Sequence, residues 1–290
     1  MTFTKRLAIS ALALASVFAL SACTDSGAGS PTSAPVASAP EFAAGTTMAK
    51  LADAGSITIG TKFDQPLFGL KGPDGTPVGF DVEIGKLIAG KLGISADNIK
   101  WVETVSANRE PFIQNGQVDM VVATYTINDK RKEVVDFAGP YYQAGQDLLV
   151  LAGNPDKITG PKDLAGKKVC TVSGSTSEKN IAAYTTDIIA TDTYSNCLGP
   201  LRSGEVAAVT TDNVILAGLA DQNAGQFEVV DKPFTEEPYG IGLMKDDTEF
   251  RTFINDTLEE AYADGSWAAA WESTAGKVLE TPTPPAVNRY

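Results

Sequence analysis

Between residues 57 and 244, short apolar runs alternate with stretches of helical period, and this alternation constrains the fold more than any other feature. The β-branched run Ile57-Thr58-Ile59-Gly60-Thr61 opens it. Asp81 stands where a cap belongs for a helix over 82–92, whose Ile84, Leu87, Ile88 and Leu92 share one face. A strand over 100–103, a short helix over 109–115 ended by Gly116, and the apolar strand 120–123 follow. A second set has strands over 147–152, 168–172, 206–210, 227–230 and 239–244. Its helices run from Ser175 through Ala183, over 198–203 and over 213–220. The last helices, 247–262 and 267–274, place Phe250, Phe253, Ile254 and Leu258 on one face. Strands separated by helices predict an α/β fold, one large domain or two lobes. The proline-rich tail 281–290 is expected to be loose.

Residues 1–22 read as a targeting segment. Lys5-Arg6 precedes an apolar stretch from Leu7 to Leu20, too short for a membrane-spanning helix. Leu20-Ser21-Ala22-Cys23 resembles a bacterial lipobox, whose cysteine is diacylated and becomes the new N-terminus. The chain after Cys23 is then exported and tethered by lipid to the cell membrane. Residues 23–45, rich in Ser, Ala, Pro, Gly and Thr, read as a disordered tether.

A net charge of -13 argues against nucleic acid as a partner. The chain has no histidine, which removes Ser-His-Asp and Cys-His chemistry and imidazole metal sites together. No metal or cofactor is implied. Of three cysteines, Cys170 and Cys197 remain after Cys23, and in an exported protein a disulfide between them is the default.

After the strand at 120–123 come Thr124, Thr126, a polar turn and Arg131. Hydroxyls and amides at a strand end with a guanidinium behind them suit a planar carboxylate. A strand, a turn and a surface ion pair would leave the same trace. Asp212, before the helix at 213, reads equally as an N-cap or as a free carboxylate.

Four stretches carry a resemblance: Gly79-Phe80-Asp81-Val82-Glu83; the run from Thr126 to Phe137 with Tyr141-Tyr142; Gly174-Ser175-Thr176-Ser177; and Glu237-Pro238-Tyr239-Gly240-Ile241. In this order, after a lipobox, they resemble extracellular solute-binding proteins of family 3, the polar amino-acid receptors of ABC importers. The resemblance implies a periplasmic-binding-protein-like fold of type II: two α/β lobes joined by two crossing strands. It places lobe 1 at 46–145 and 239–280, lobe 2 at 146–238, and hinges near 144–147 and 237–240.

The same resemblance assigns a site. Arg131 matches the arginine that grips the ligand α-carboxylate, with Thr124 and Thr126 beside it. Ser175 and Thr176 match the helix start that shares this carboxylate. Asp212 matches the acceptor of the α-ammonium. Lys62, just after the first strand, matches a side-chain contact at which a glutamine receptor carries an acid. Ser106-Ala107-Asn108-Arg109 resembles a run that supplies a cation in glutamate and aspartate receptors. Two cations at one end of the cleft imply an anionic side chain and disfavour arginine or lysine. A monomer is expected, delivering glutamate or aspartate to permease subunits with their ATPase. Glutamine or asparagine binding and a sensor for a membrane partner are the alternatives. Enzymes of this fold, such as cyclohexadienyl dehydratases, need a placed acid or base; Glu103 and Glu110 read as surface acids instead.

Overall fold

The computed structural model describes residues 40–290. The leader, Cys23 and most of the 23–45 stretch lie outside the described residues. The strand Ile57–Thr61 forms where expected, its Ile57 and Ile59 fully buried. It pairs in parallel with Ile99–Glu103 on one side and with Met120–Val121 on the other. Gly60 keeps the sheet close to its neighbour, since a Cβ there would stand 2.5 Å from Thr104 Oγ1. Glu237–Leu243 and then Asp136–Ala144 extend this sheet antiparallel, giving five strands. The second lobe repeats the plan. Its strands are Ile188–Thr191, Val169–Val172, Ala208–Asp212, Gln146–Leu151 and Phe227–Val229 in spatial order. A three-stranded hairpin sheet, Asp64–Gln65, Gly69–Lys71 and Pro77–Val78, sits beside the first.

Helices Phe80–Lys91, Thr248–Asp264 and Ser266–Ser273 cover the first sheet. Phe250, Ile254, Leu258 and Ala261 form the buried stripe of the long helix, one residue per turn. Under them lies an aromatic cluster in which Phe80 meets Trp271 edge-on at 5.1 Å and Tyr142 stacks on Trp271 at 5.0 Å. The Trp267 indole N–H donates to Tyr141 O at 2.9 Å, so this ring is buried without an orphaned donor.

The lobes are joined by two crossings that lie side by side. Asp136–Ala144 breaks at Gly145 and resumes as Gln146–Leu151. The return passes through Pro233–Thr235 into Glu237–Leu243. The Gln146 N–H donates to Thr235 Oγ1, and the Phe234 N–H donates to Gln146 O, both at 2.9 Å. A Cβ on Gly145 would stand 2.7 Å from Thr235 O, so only glycine lets the crossings touch.

Three expectations differ from the structure. Asp81 does not cap a helix: Gly79, at φ 135°, occupies that place, and Asp81 sits inside the first turn, fully buried. The strand expected at 206–210 lies two residues later, at Ala208–Asp212. Its register is set by Asp212 opposite Gln146 and by Val209 opposite Cys170, not by local apolarity. The tail 281–290 has no helix or strand, yet its end is docked. The Asn288 N–H donates to Gly139 O, the Phe137 N–H donates to the Tyr290 hydroxyl, and Arg289 pairs with Asp256 and Glu259. These contacts cover the edge strand Asp136–Ala144.

Cys170 and Cys197 are bonded, with Cα atoms 5.6 Å apart. The bridge ties Val169–Val172 to the 3₁₀ turn Tyr194–Cys197. Replacing both cysteines by alanine is expected to cost about 2–5 kcal/mol, read from denaturant unfolding beside the reduced wild type.

Candidate ligand-binding site

The expected site residues gather at the carboxyl ends of parallel strands in both lobes, where α/β sheets present loops and helix starts to a ligand. Lys62 follows Ile57–Thr61; Ser106 and Arg109 follow Ile99–Glu103; Thr124 and Thr126 follow Met120–Val121. Ser175 and Thr176 follow Val169–Val172 across the cleft, and Asp212 ends Ala208–Asp212. The two sets close on a small cavity, walled by Arg109, Thr124 and Thr126 on one side and by Ser175, Thr176 and Asp212 on the other. Lys62 and Arg131 are not on that wall. Lys62 stands behind Ser106, to whose hydroxyl it donates at 2.9 Å; Arg131 lines an adjoining groove.

All three cations are buried. Arg109 spans three carbonyls: Nε to Ser106 O at 3.3 Å, and Nη1 to Ala123 O and Thr124 O at 3.1 and 3.2 Å. Arg131 directs Nε to Glu110 Oε1 at 3.0 Å, Nη1 to Thr126 O at 2.7 Å and Nη2 to Gly174 O of the other lobe at 3.3 Å. The Tyr125 ring lies between them, 4.3 Å from the Arg109 guanidinium and 4.9 Å from that of Arg131. Glu110, expected to be a surface acid, is thus the one carboxylate paired with these cations among the described residues. Burial, then the Arg109 charge, pushes Lys62 down to about 7; burial, then Arg131, pushes Arg109 down to about 10.

Thr124 is held at φ 44°, a backbone conformation unfavourable for a β-branched residue. Its N–H donates to Asp81 Oδ2 at 2.8 Å, and its hydroxyl donates to Gln65 Oε1 at 2.9 Å. The other Asp81 oxygen accepts the Tyr141 hydroxyl at 2.6 Å. Thr126 faces Thr176 across the cleft, hydroxyl to hydroxyl at 3.5 Å. Ser175 uses its hydroxyl within its lobe, donating to Val172 O and accepting the Glu178 N–H, and its own N–H also donates to Val172 O at 3.2 Å.

Asp212 makes no capping hydrogen bond. Its Oδ2 accepts the Tyr239 hydroxyl at 2.6 Å, and its Oδ1 is buried with no partner among the described residues. Burial, then the nearby Glu237 carboxylate, raises Asp212 to about 7, against the pull of Tyr239. Asp81 is raised to about 7 by burial, with Tyr141 and Thr124 pulling the other way.

Sequence reading missed several residues. Asp81 and Tyr239 fall inside quoted motifs but act as struts: Asp81 holds Thr124, and Tyr239 holds Asp212. Ser106 and Tyr194 line the cavity; Tyr194 has no local signal, since its place depends on the disulfide three residues on.

The pKa shifts make stability pH-dependent with a definite sign. Unfolded carboxyls lose their protons near pH 4, whereas folded Asp81 and Asp212 keep theirs to about 7. Between those values the folded chain holds more protons, so these two groups lower stability as pH rises from about 4 to about 7. Lys62 acts oppositely between about 7 and about 10, where the unfolded chain holds the extra proton. Urea midpoints of ligand-stripped protein across this range should show a fall below pH 7 that is shallower in Asp212→Asn; an unchanged slope would contradict the assignment.

Residues 57–274 match the model of the bacterial extracellular solute-binding proteins, family 3. The chain is similar to the glutamate-binding protein GluB of Corynebacterium efficiens, 44% identical over 225 residues, 73% of this chain and 76% of that protein. It is also similar to the ABC transporter glutamine-binding protein GlnH of Bacillus subtilis, 40% identical over 225 residues, 76% of this chain and 81% of that one. Among solved structures, an ancestral arginine-binding protein bound to glutamine superposes with a TM-score of 0.70 at 38% identity, over 76% of this chain and 97% of that one. With strand ends from two lobes closing on a charged cavity and a family match across most of the folded chain, this protein belongs to the bacterial extracellular solute-binding proteins of family 3.

Proposed function

We propose that this chain is the substrate-binding lipoprotein of an amino-acid ABC importer, taking glutamate, and aspartate beside it, into the cleft and handing it to a permease. The observation that carries the reading is the charge pattern. Lys62, Arg109 and Arg131 are buried together with one paired carboxylate, and Asp212 faces Arg109 across the cavity with an unpartnered oxygen. A glutamate zwitterion complements that pattern with two carboxylates and one ammonium. The α-carboxylate goes to the Thr126 side and to the helix start at Ser175 and Thr176, with Arg131 turning in from the adjoining groove. The α-ammonium goes to Asp212 Oδ1. The side-chain carboxylate goes to Arg109, and to Lys62 through Ser106. The likeness to a glutamate-binding protein supports the same substrate.

Lobe 1 is assigned to 46–145 and 239–280, and lobe 2 to 146–238. Residues 1–22 are the signal peptide, Cys23 the lipidated residue, and 23–45 the tether to the outer face of the membrane. The protein acts as a monomer and binds no nucleic acid. It catalyses no reaction.

Glutamine is the second reading. The backbone carbonyls already bonded to Arg109 partly satisfy its charge, and a similar protein is a glutamine-binding one. Glutamine forgoes one charge-assisted bond, about 1.5–3 kcal/mol, or roughly tenfold to a hundredfold in affinity.

Isothermal titration of protein unfolded and refolded to strip ligand separates these. Glutamate should bind tightest. Arg131→Met and Asp212→Asn should each weaken every amino acid by about a hundredfold, since each strands a buried charge. Arg109→Met should weaken glutamate by about tenfold or more while leaving glutamine nearly unchanged. Equal or tighter glutamine binding by the wild type would remove the side-chain assignment; no amino-acid binding at all would remove the receptor reading.

A further inference from the structure

The lobes also meet away from the cavity wall. Asp64–Gln65, in the hairpin of the first lobe, reaches across the cleft, and Asp64 Oδ2 accepts the Tyr194 N–H at 2.9 Å. Tyr194 begins the turn that the Cys170–Cys197 bridge pins to the second sheet. Just beyond, the Pro66 backbone rests on helix Asn213–Gln222. A Cβ built on Gly218 would stand 2.5 Å from Pro66 O and 3.1 Å from its carbonyl carbon. Backbone cannot swing aside as a side chain would. The interior of an α-helix favours alanine over glycine, so nothing within the second lobe calls for glycine at 218. The contact with the other lobe does.

We infer that Asp64, Pro66, Gly218 and the Tyr194 backbone form a closing latch, a contact made when the lobes meet that sets how long the receptor stays shut. Asp64, Pro66 and Gly218 do not line the cavity. Their contribution is to the closed state as a whole, and a group that favours only the closed state raises affinity for every ligand that closes it. The latch deepens the receptor reading above and rests on it for the ligands used in the titration.

The test uses the full-length protein with Gly218→Ala and Asp64→Ala, titrated with glutamate and with glutamine. Each variant should lose about tenfold in affinity, by the same factor for both amino acids and mainly through faster dissociation in stopped flow. The unfolding midpoint of ligand-free Gly218→Ala should be no lower than that of the wild type. Asp64 also lies near Lys62, and a loss through Lys62 would fall on glutamate alone. Unchanged affinity in Gly218→Ala, or a loss confined to glutamate in Asp64→Ala, overturns the latch. If Gly218→Ala unfolds early, Asp64→Ala decides alone: an equal loss for both ligands supports the latch and no loss overturns it. If wild type binds neither amino acid, the receptor reading fails separately. Spin-label distances across the cleft then judge the latch: fewer closed molecules in Gly218→Ala support it, and identical distributions overturn it.

Discussion

Three buried cations, of which only Arg131 is paired with a carboxylate, are the constraint on which this structure turns. Removing an ion from water costs several kcal/mol even after the protein relaxes. Part of that cost is met by carbonyl dipoles, from Ser106, Ala123 and Thr124 to Arg109 and from Thr126 and Gly174 to Arg131. Such carbonyls are free only where a strand ends and its ladder stops. Thr124 turns its backbone out at φ 44°, a conformation worth roughly 1–2 kcal/mol of strain. Asp81 holds it there, which explains a buried carboxylate so close to the site.

Closure follows from the same unpaired charges. Beside the Tyr239–Asp212 bond near the crossings, the interlobe contacts are individually modest: one long hydroxyl pair at Thr126 and Thr176, Arg131 to Gly174 O, Asp64 to the Tyr194 N–H. Gly174 lies so near Ala107 that a Cβ would stand 2.9 Å from its Cα. None of these contacts offsets the loss of hydration around Lys62, Arg109 and Asp212. A solute carrying both signs of charge does, and it can touch both walls only when they are near each other. Its differential affinity for the closed form is what a receptor needs to report occupancy.

The fold serves this by putting strand ends of two similar sheets face to face and joining them through paired crossings at Gly145 and Thr235. The aromatic cluster around Phe80 and Trp271 stiffens the first lobe behind the crossing strands, and the disulfide stiffens the turn that carries Tyr194. Rigid lobes with a narrow connection confine the change of shape to the cleft.

Much of this was legible in the chain itself. The strand Ile57–Thr61 and the helix Leu198–Ser203 follow from local pattern, because β-branching and helical period act within a few residues. Arg131, Thr126 and Asp212 were marked by position after a strand, where unpaired backbone and charge collect. Partnership was not legible. Asp81 looks like a helix cap, Glu110 like a surface acid and 281–290 like a loose end until Thr124, Arg131 and the edge strand arrive from elsewhere in the chain. Whether Lys62 touches a cavity or stands behind Ser106 is likewise a matter of packing between segments 44 residues apart. The sequence by itself determined which groups are present and which local elements carry them, since those depend on neighbours in the chain. Only the tertiary structure decided which charges are buried, which are paired and which are left waiting, because desolvation and hydrogen bonding depend on what packs across space.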